Sequence, residues 1–107
     1  METNERAPQS YVIFISKGTT GPANGVEVEI RRVSNQIVAF KGTAPVSGVN
    51  PPEFKLENNT TYTLKIASTS GTVRSLHVQA GSNISGSNLN WEFTTGSGSG
   101  YIQIYYN

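Results

Sequence analysis

The strictest constraint on this chain is a period of two. Val26, Val28 and Ile30 alternate with Glu27, Glu29 and Arg31, and Tyr62, Leu64 and Ile66 form a second inward set further along. Successive side chains of a strand point to opposite faces, so each such run buries one face and exposes the other. No stretch sustains a helical period. The runs are short and are separated by turn-rich segments at Gly18–Gly25, Ser34-Asn35, Gly42–Pro52, Asn58-Asn59 and Ser70-Gly71. About eight strands at spacings of ~8–12 residues predict an all-β fold, a single-domain β-sandwich of mainly antiparallel strands.

A chain of 107 residues is one domain with one core. Residues 1–9 read as a flexible N-terminal arm and residues 10–107 as the sandwich domain. Tyr11-Val12-Ile13-Phe14-Ile15 is apolar on both faces, the pattern of a strand buried between two layers. Gly42–Pro52 carries three prolines and two glycines, which predicts a long loop or a crossing between sheets. Val73 gives way to Leu76 and Val78, a phase slip that predicts a bulge near Arg74 or Ser75. Asn88–Thr95 and Tyr101–Tyr106 are expected to pair as a final hairpin around a flexible tip, Gly96-Ser97-Gly98-Ser99-Gly100.

Composition narrows the chemistry. Charged residues make up 14 % of the chain, against an average near ~25 %, and the net charge is +1. No basic field exists to hold nucleic acid. All seven acidic residues are glutamate. A calcium site of the Asp-rich loop type is therefore not expected, and a catalytic triad containing Asp is impossible within one chain. There is no cysteine, so the domain is disulfide-free and has neither a thiolate metal site nor a thiol nucleophile. No run approaches the ~20 apolar residues of a transmembrane helix. The polar start carries no readable signal peptide; the expectation is a soluble protein, cytoplasmic or exported by a leaderless or trimmed-leader route.

Gly25 to Val33, followed by Glu53-Phe54-Lys55-Leu56-Glu57-Asn58-Asn59-Thr60-Thr61-Tyr62-Thr63-Leu64-Lys65-Ile66, has an early "G-apolar-x-apolar-x-apolar" and a later "F-x-L … Y-x-L-x-I" cadence. Over roughly residues 11–80 this resembles the prealbumin-like sandwich of carboxypeptidase regulatory-like and related surface-protein repeats. The resemblance implies a structural or binding role and brings no catalytic residues with it.

Individual residues agree. His77 is the only histidine; with no Asp or Cys to share a metal, it reads as a structural or surface residue. Glu27 and Glu29 lie on one strand face about 7 Å apart, but an exposed pair lacks the cleft and raised pKa that glycosidase chemistry needs. The glycine-serine run has the composition of a phosphate loop, yet it feeds a strand rather than a helix N-terminus. Asn58, Asn59 and Asn83 each begin an Asn-x-Ser/Thr pattern, which has consequences only in a eukaryotic secretory protein. Nothing assembles an acid, a base and a nucleophile, and no cofactor is implied.

The remaining candidate is the aromatic C-terminal region. Leu89, Trp91 and Phe93 share one face, which makes Trp91 partly core. On the last strand Ile102, Ile104 and Tyr106 face inward and leave Tyr101, Gln103 and Tyr105 outside. Exposed rings stack on the apolar C–H faces of sugars while amide side chains bond hydroxyls. Tyr101, Gln103, Tyr105, Asn88 and Asn90 are therefore the expected ligand-binding residues of a non-catalytic, lectin-like module for glycan or cell-surface recognition. The alternatives are a self-assembling fibre, capsid, tail or appendage subunit, a homo-oligomer joined through strand edges or the N-terminal arm, and a small membrane-active β toxin.

Overall fold

The computed structural model describes residues 8–18, 21–46, 50–67 and 71–107. These form nine strands and no helix: β1 (Pro8–Ser16), β2 (Val26–Arg32), β3 (Val38–Ala44), β4 (Glu53–Glu57), β5 (Thr61–Ile66), β6 (Val73–Val78), β7 (Gly81–Ser87), β8 (Asn90–Thr95) and β9 (Gly100–Tyr106). They make two packed sheets, one of four strands in the order β4-β1-β9-β6 and one of five in the order β3-β2-β5-β8-β7. Neighbours are antiparallel except β1 and β9, which run parallel from Tyr11↔Gly100 to Ser16↔Tyr105. The expected all-β sandwich is what the chain forms.

The alternating residues build the core between the sheets. Ile13, Ile15, Ile102 and Ile104 of the four-stranded sheet meet Ile30, Leu64 and Phe93 of the five-stranded one, all essentially without solvent exposure. Each buried branched or aromatic side chain of this kind contributes about 1.5–3 kcal/mol relative to exposure. Tyr62 stacks on Phe93 at 5.9 Å between ring centroids, and Phe40 on Phe54 at 4.4 Å.

Four sequence readings change. Pro8 and Gln9, read as the end of the arm, belong to β1, where they pair with Glu57 and Leu56; residues 1–7 lie outside the described residues. β1 is not buried on both faces: Tyr11, Ile13 and Ile15 are buried while Val12 and Phe14 lie half-buried on the outer side. No described element forms a third layer over that side, so the second apolar set of β1 faces outward.

The last two strands do not form a hairpin. β8 lies between β5 and β7, and β9 lies between β1 and β6 in the opposite sheet. The glycine run between them crosses from one sheet to the other, and its backbone is tied down. The Gly96 amide donates to the Ala80 carbonyl, the Asn59 amide donates to the Gly96 carbonyl at 3.1 Å, and the Gly98 amide donates to Asn58 Oδ1 at 3.2 Å. A Cβ on Gly100 would collide with the Gln79 carbonyl, so the residue is glycine because two backbones meet there.

The fourth change is β7, Gly-Ser-Asn-Ile-Ser-Gly-Ser, which has no apolar alternation to announce it. It pairs with β8 through a register shift between Ser82 and Ser85. Asn83 (φ 53°) and Gly86 (φ 132°) sit in backbone regions that favour Asn and Gly.

Candidate functional site

The outward residues of the four-stranded sheet form a continuous aromatic face. In the β1–β9 register Val12 lies beside Tyr101, Phe14 beside Gln103 and Ser16 beside Tyr105; on the other flank of β9, His77 lies beside Gln103 and Ser75 beside Tyr105. The Tyr101 ring is flanked on both sides, by Phe14 at 5.7 Å and by His77 at 5.6 Å between centroids. Tyr101 and Tyr105 are four residues apart on one strand face, so the rings span about 13 Å along the sheet.

Polar groups thread between the rings. Gln103 donates through Nε2 to Ser16 Oγ at 2.5 Å and accepts through Oε1 from the Tyr105 hydroxyl at 3.0 Å. Held from both ends, the amide keeps a fixed orientation and still has one N–H and one oxygen lone pair to offer.

The bulge expected near Arg74 or Ser75 is present as a register shift between Val73 and Ser75. Its consequence is local. Val73 and Leu76 both stay in the core, so Arg74 and Ser75 together fall on the outer side. This swings the Arg74 guanidinium to 5.9 Å from the centre of the Tyr105 ring, within cation–π range. Beside it an open hollow of about 430 Å³ is bounded by Gly18, Arg74, Tyr106 and Asn107.

No protein-family model, curated protein or solved structure matches this chain. The surface itself has to carry the functional reading.

Three of the five expected site residues, Tyr101, Gln103 and Tyr105, stand together on this face. The other two do not join them, because β8 belongs to the opposite sheet. Asn88 sits in the β7–β8 turn at φ 49°. Its Oδ1 accepts from the Val73 amide at 3.3 Å and its carbonyl accepts from Trp91 Nε1 at 2.9 Å, so its bonds are structural. Asn90 is exposed on the outer face of the five-stranded sheet.

That second face has a groove of about 570 Å³, lined among others by Glu29, Arg31, Thr63, Lys65, Asn90 and Glu92. Its charges answer one another across the strands. Arg31 donates to Glu29 at 3.0 Å, and Glu29 lies opposite Lys65 on one side and Lys41 on the other. Trp91 borders the groove, but it lies beside the buried Leu64 in the β5–β8 register and packs partly against the core. Cross-strand charge pairs of this kind stabilise a solvated sheet face, and the Glu27/Glu29 pair belongs to it. Among the described residues no group of three or more His, Cys, Asp or Glu side chains is placed to hold a metal ion.

Sequence reasoning missed Phe14, Val12 and Arg74 as members of the aromatic face. A signal for the first two was present: a strand apolar on both faces in a two-layer sandwich must show one of its apolar sets to the outside. Arg74 depended on which way the bulge turned, and a phase slip gives its position without its direction.

Proposed function

We propose that this domain is a non-catalytic carbohydrate-binding module whose ligand lies along the outer face of the four-stranded sheet. One observation carries the reading: Tyr101 lies flanked by Phe14 and His77 on an outward sheet face, with the fixed Gln103 amide next to it. A sugar ring presents apolar C–H groups on its faces and hydroxyls round its rim. Aromatic side chains take the first, and a rigid amide with neighbouring hydroxyls takes the second. A face about 13 Å long along one strand suits a short oligosaccharide better than a single sugar.

Assembly through strand edges has less support, because every edge strand is blunted. β4 is short and carries Glu53, Lys55 and Glu57, β3 carries Lys41, and β6 and β7 are both bulged. Among the described residues no helix is long and apolar enough to cross a membrane.

The test is a glycan-array screen of the labelled protein alongside Tyr101→Ala and Tyr105→Ala. The expected result is a set of hits that share a sugar, lost in both variants while the melting temperature hardly changes. Binding that survives both substitutions removes the site from this face. A blank array with folded protein removes the carbohydrate reading and returns attention to assembly.

A further inference from the structure

Three arginines lie among the described residues, and they are used differently. Arg31 is paired with Glu29 at 3.0 Å and Arg32 with Glu57 at 2.5 Å. Arg74 has no carboxylate partner among the described residues; its guanidinium lies over the Tyr105 ring, on the rim of the aromatic face and beside the open hollow. It is there because of the bulge between Val73 and Ser75, an irregularity that turns a side chain which regular alternation would not place beside Ser75 on the same side.

A guanidinium carbon lying over a ring at 5.9 Å from its centre is drawn to the ring face and keeps its N–H donors available to a further partner. The fork of these donors matches two oxygens of one anionic group. The partly exposed Ser75 beside it and the Tyr105 hydroxyl add neutral hydrogen-bonding groups to the same end of the face.

Resting on the carbohydrate reading, we propose that the ligand is an acidic saccharide, its rings laid along Tyr101 and Phe14 and its carboxylate or sulfate seated on Arg74. The rings and Gln103 supply contact that any sugar shares. Arg74 supplies the discrimination, because a neutral sugar leaves the fork in water while an anionic one forms a charge-assisted pair with it. Arg74 is exposed, so the interaction weakens as salt rises.

The experiment is an array holding neutral, carboxylated and sulfated saccharides, probed with wild-type protein and with Arg74→Gln and Arg74→Lys. Affinity for the best hit is then measured at two NaCl concentrations. Acidic glycans dominate the expected hits. Arg74→Gln weakens them at least about tenfold and leaves any neutral hits alone, and Arg74→Lys retains salt-sensitive binding with a poorer preference between carboxylate and sulfate. The carboxylated and sulfated arms identify which anion is taken. Hits confined to neutral sugars, or acidic hits unmoved by Arg74→Gln, overturn the anion assignment and leave the carbohydrate reading standing. An array blank for folded wild-type protein overturns both. Melting curves of the two variants, expected to match the wild type, separate a lost contact from a lost fold.

Discussion

Thr60 and Thr95 hold each other from two sides: the Thr60 amide donates to Thr95 Oγ1 at 3.0 Å, and the Thr95 amide donates to the Thr60 carbonyl at 2.9 Å. Both residues are buried, and the Thr95 hydroxyl also donates to the Glu57 carbonyl at 2.5 Å. One hydroxyl thus ties the end of β8 to the β4–β5 turn, where the two sheets meet. Thr95→Val keeps the shape and removes the oxygen, leaving a buried amide and carbonyl short of a partner. The expected cost is about 1–3 kcal/mol in urea unfolding, with Thr95→Ser losing much less.

A second tie crosses the same margin. Arg32 of β2 grips both carboxylate oxygens of Glu57 of β4, at 3.2 and 2.5 Å, and so links the two sheets through side chains. The pair is partly exposed, which limits its value to about 1 kcal/mol. Glu57→Gln and Arg32→Gln should each destabilise by that order, and the double variant should cost less than their sum. A double-mutant cycle at low and high salt measures the coupling, which shrinks as salt rises.

Tyr11 predicts a dependence on alkaline pH. Burial, and secondly the neighbouring Tyr62, push its phenol above the ordinary value of 10.0. The folded protein therefore keeps this proton where the unfolded chain has released it. Stability is fully present below about pH 10 and falls as pH rises towards and through the higher folded value. The Tyr11 hydroxyl has no hydrogen-bond partner among the described residues. Tyr11→Phe should therefore unfold no more readily at pH 7, and should lose less stability between pH 9 and 11, both read from urea midpoints.

Asn88 and Asn90 are close in sequence and should behave oppositely. Asn88 holds a left-handed turn at φ 49° and caps the Val73 amide. Asn88→Ala should cost about 1–2 kcal/mol, and Asn88→Gly should recover part of it by relieving the backbone. Exposed Asn90 should tolerate alanine with little change in melting temperature, and the proposed saccharide binding should survive substitution of either residue.

How far the chain could be read in advance follows from what its residues report. Period-two alternation reports burial, so β2, β5 and the inner face of β9 were legible residue by residue, and Tyr101, Gln103 and Tyr105 were placed outward on that ground alone. Alternation is silent on pairing partners. Gly96 to Gly100 suits a hairpin tip as well as a crossing between layers, and only the tight approach of Gly100 to Gln79 demands the crossing. That one ambiguity separated Asn88 and Asn90 from the tyrosines. β7 was invisible because an edge strand of Gly, Ser and Asn is held by the backbone of β8 and by a single half-buried apolar residue, Ile84.

The parallel pairing of β1 with β9 has a mechanical consequence. The two strands lie side by side at the centre of their sheet and run in the same direction, from Tyr11 beside Gly100 to Ser16 beside Tyr105. Tension applied to the N-terminal end of β1 and the C-terminal end of β9 pulls them in opposite senses along their common axis. The bonds between them are then loaded together in shear, rather than peeled apart one after another. Forced unfolding is set by the rate of crossing that barrier rather than by equilibrium stability. A domain built this way resists being drawn out along its length.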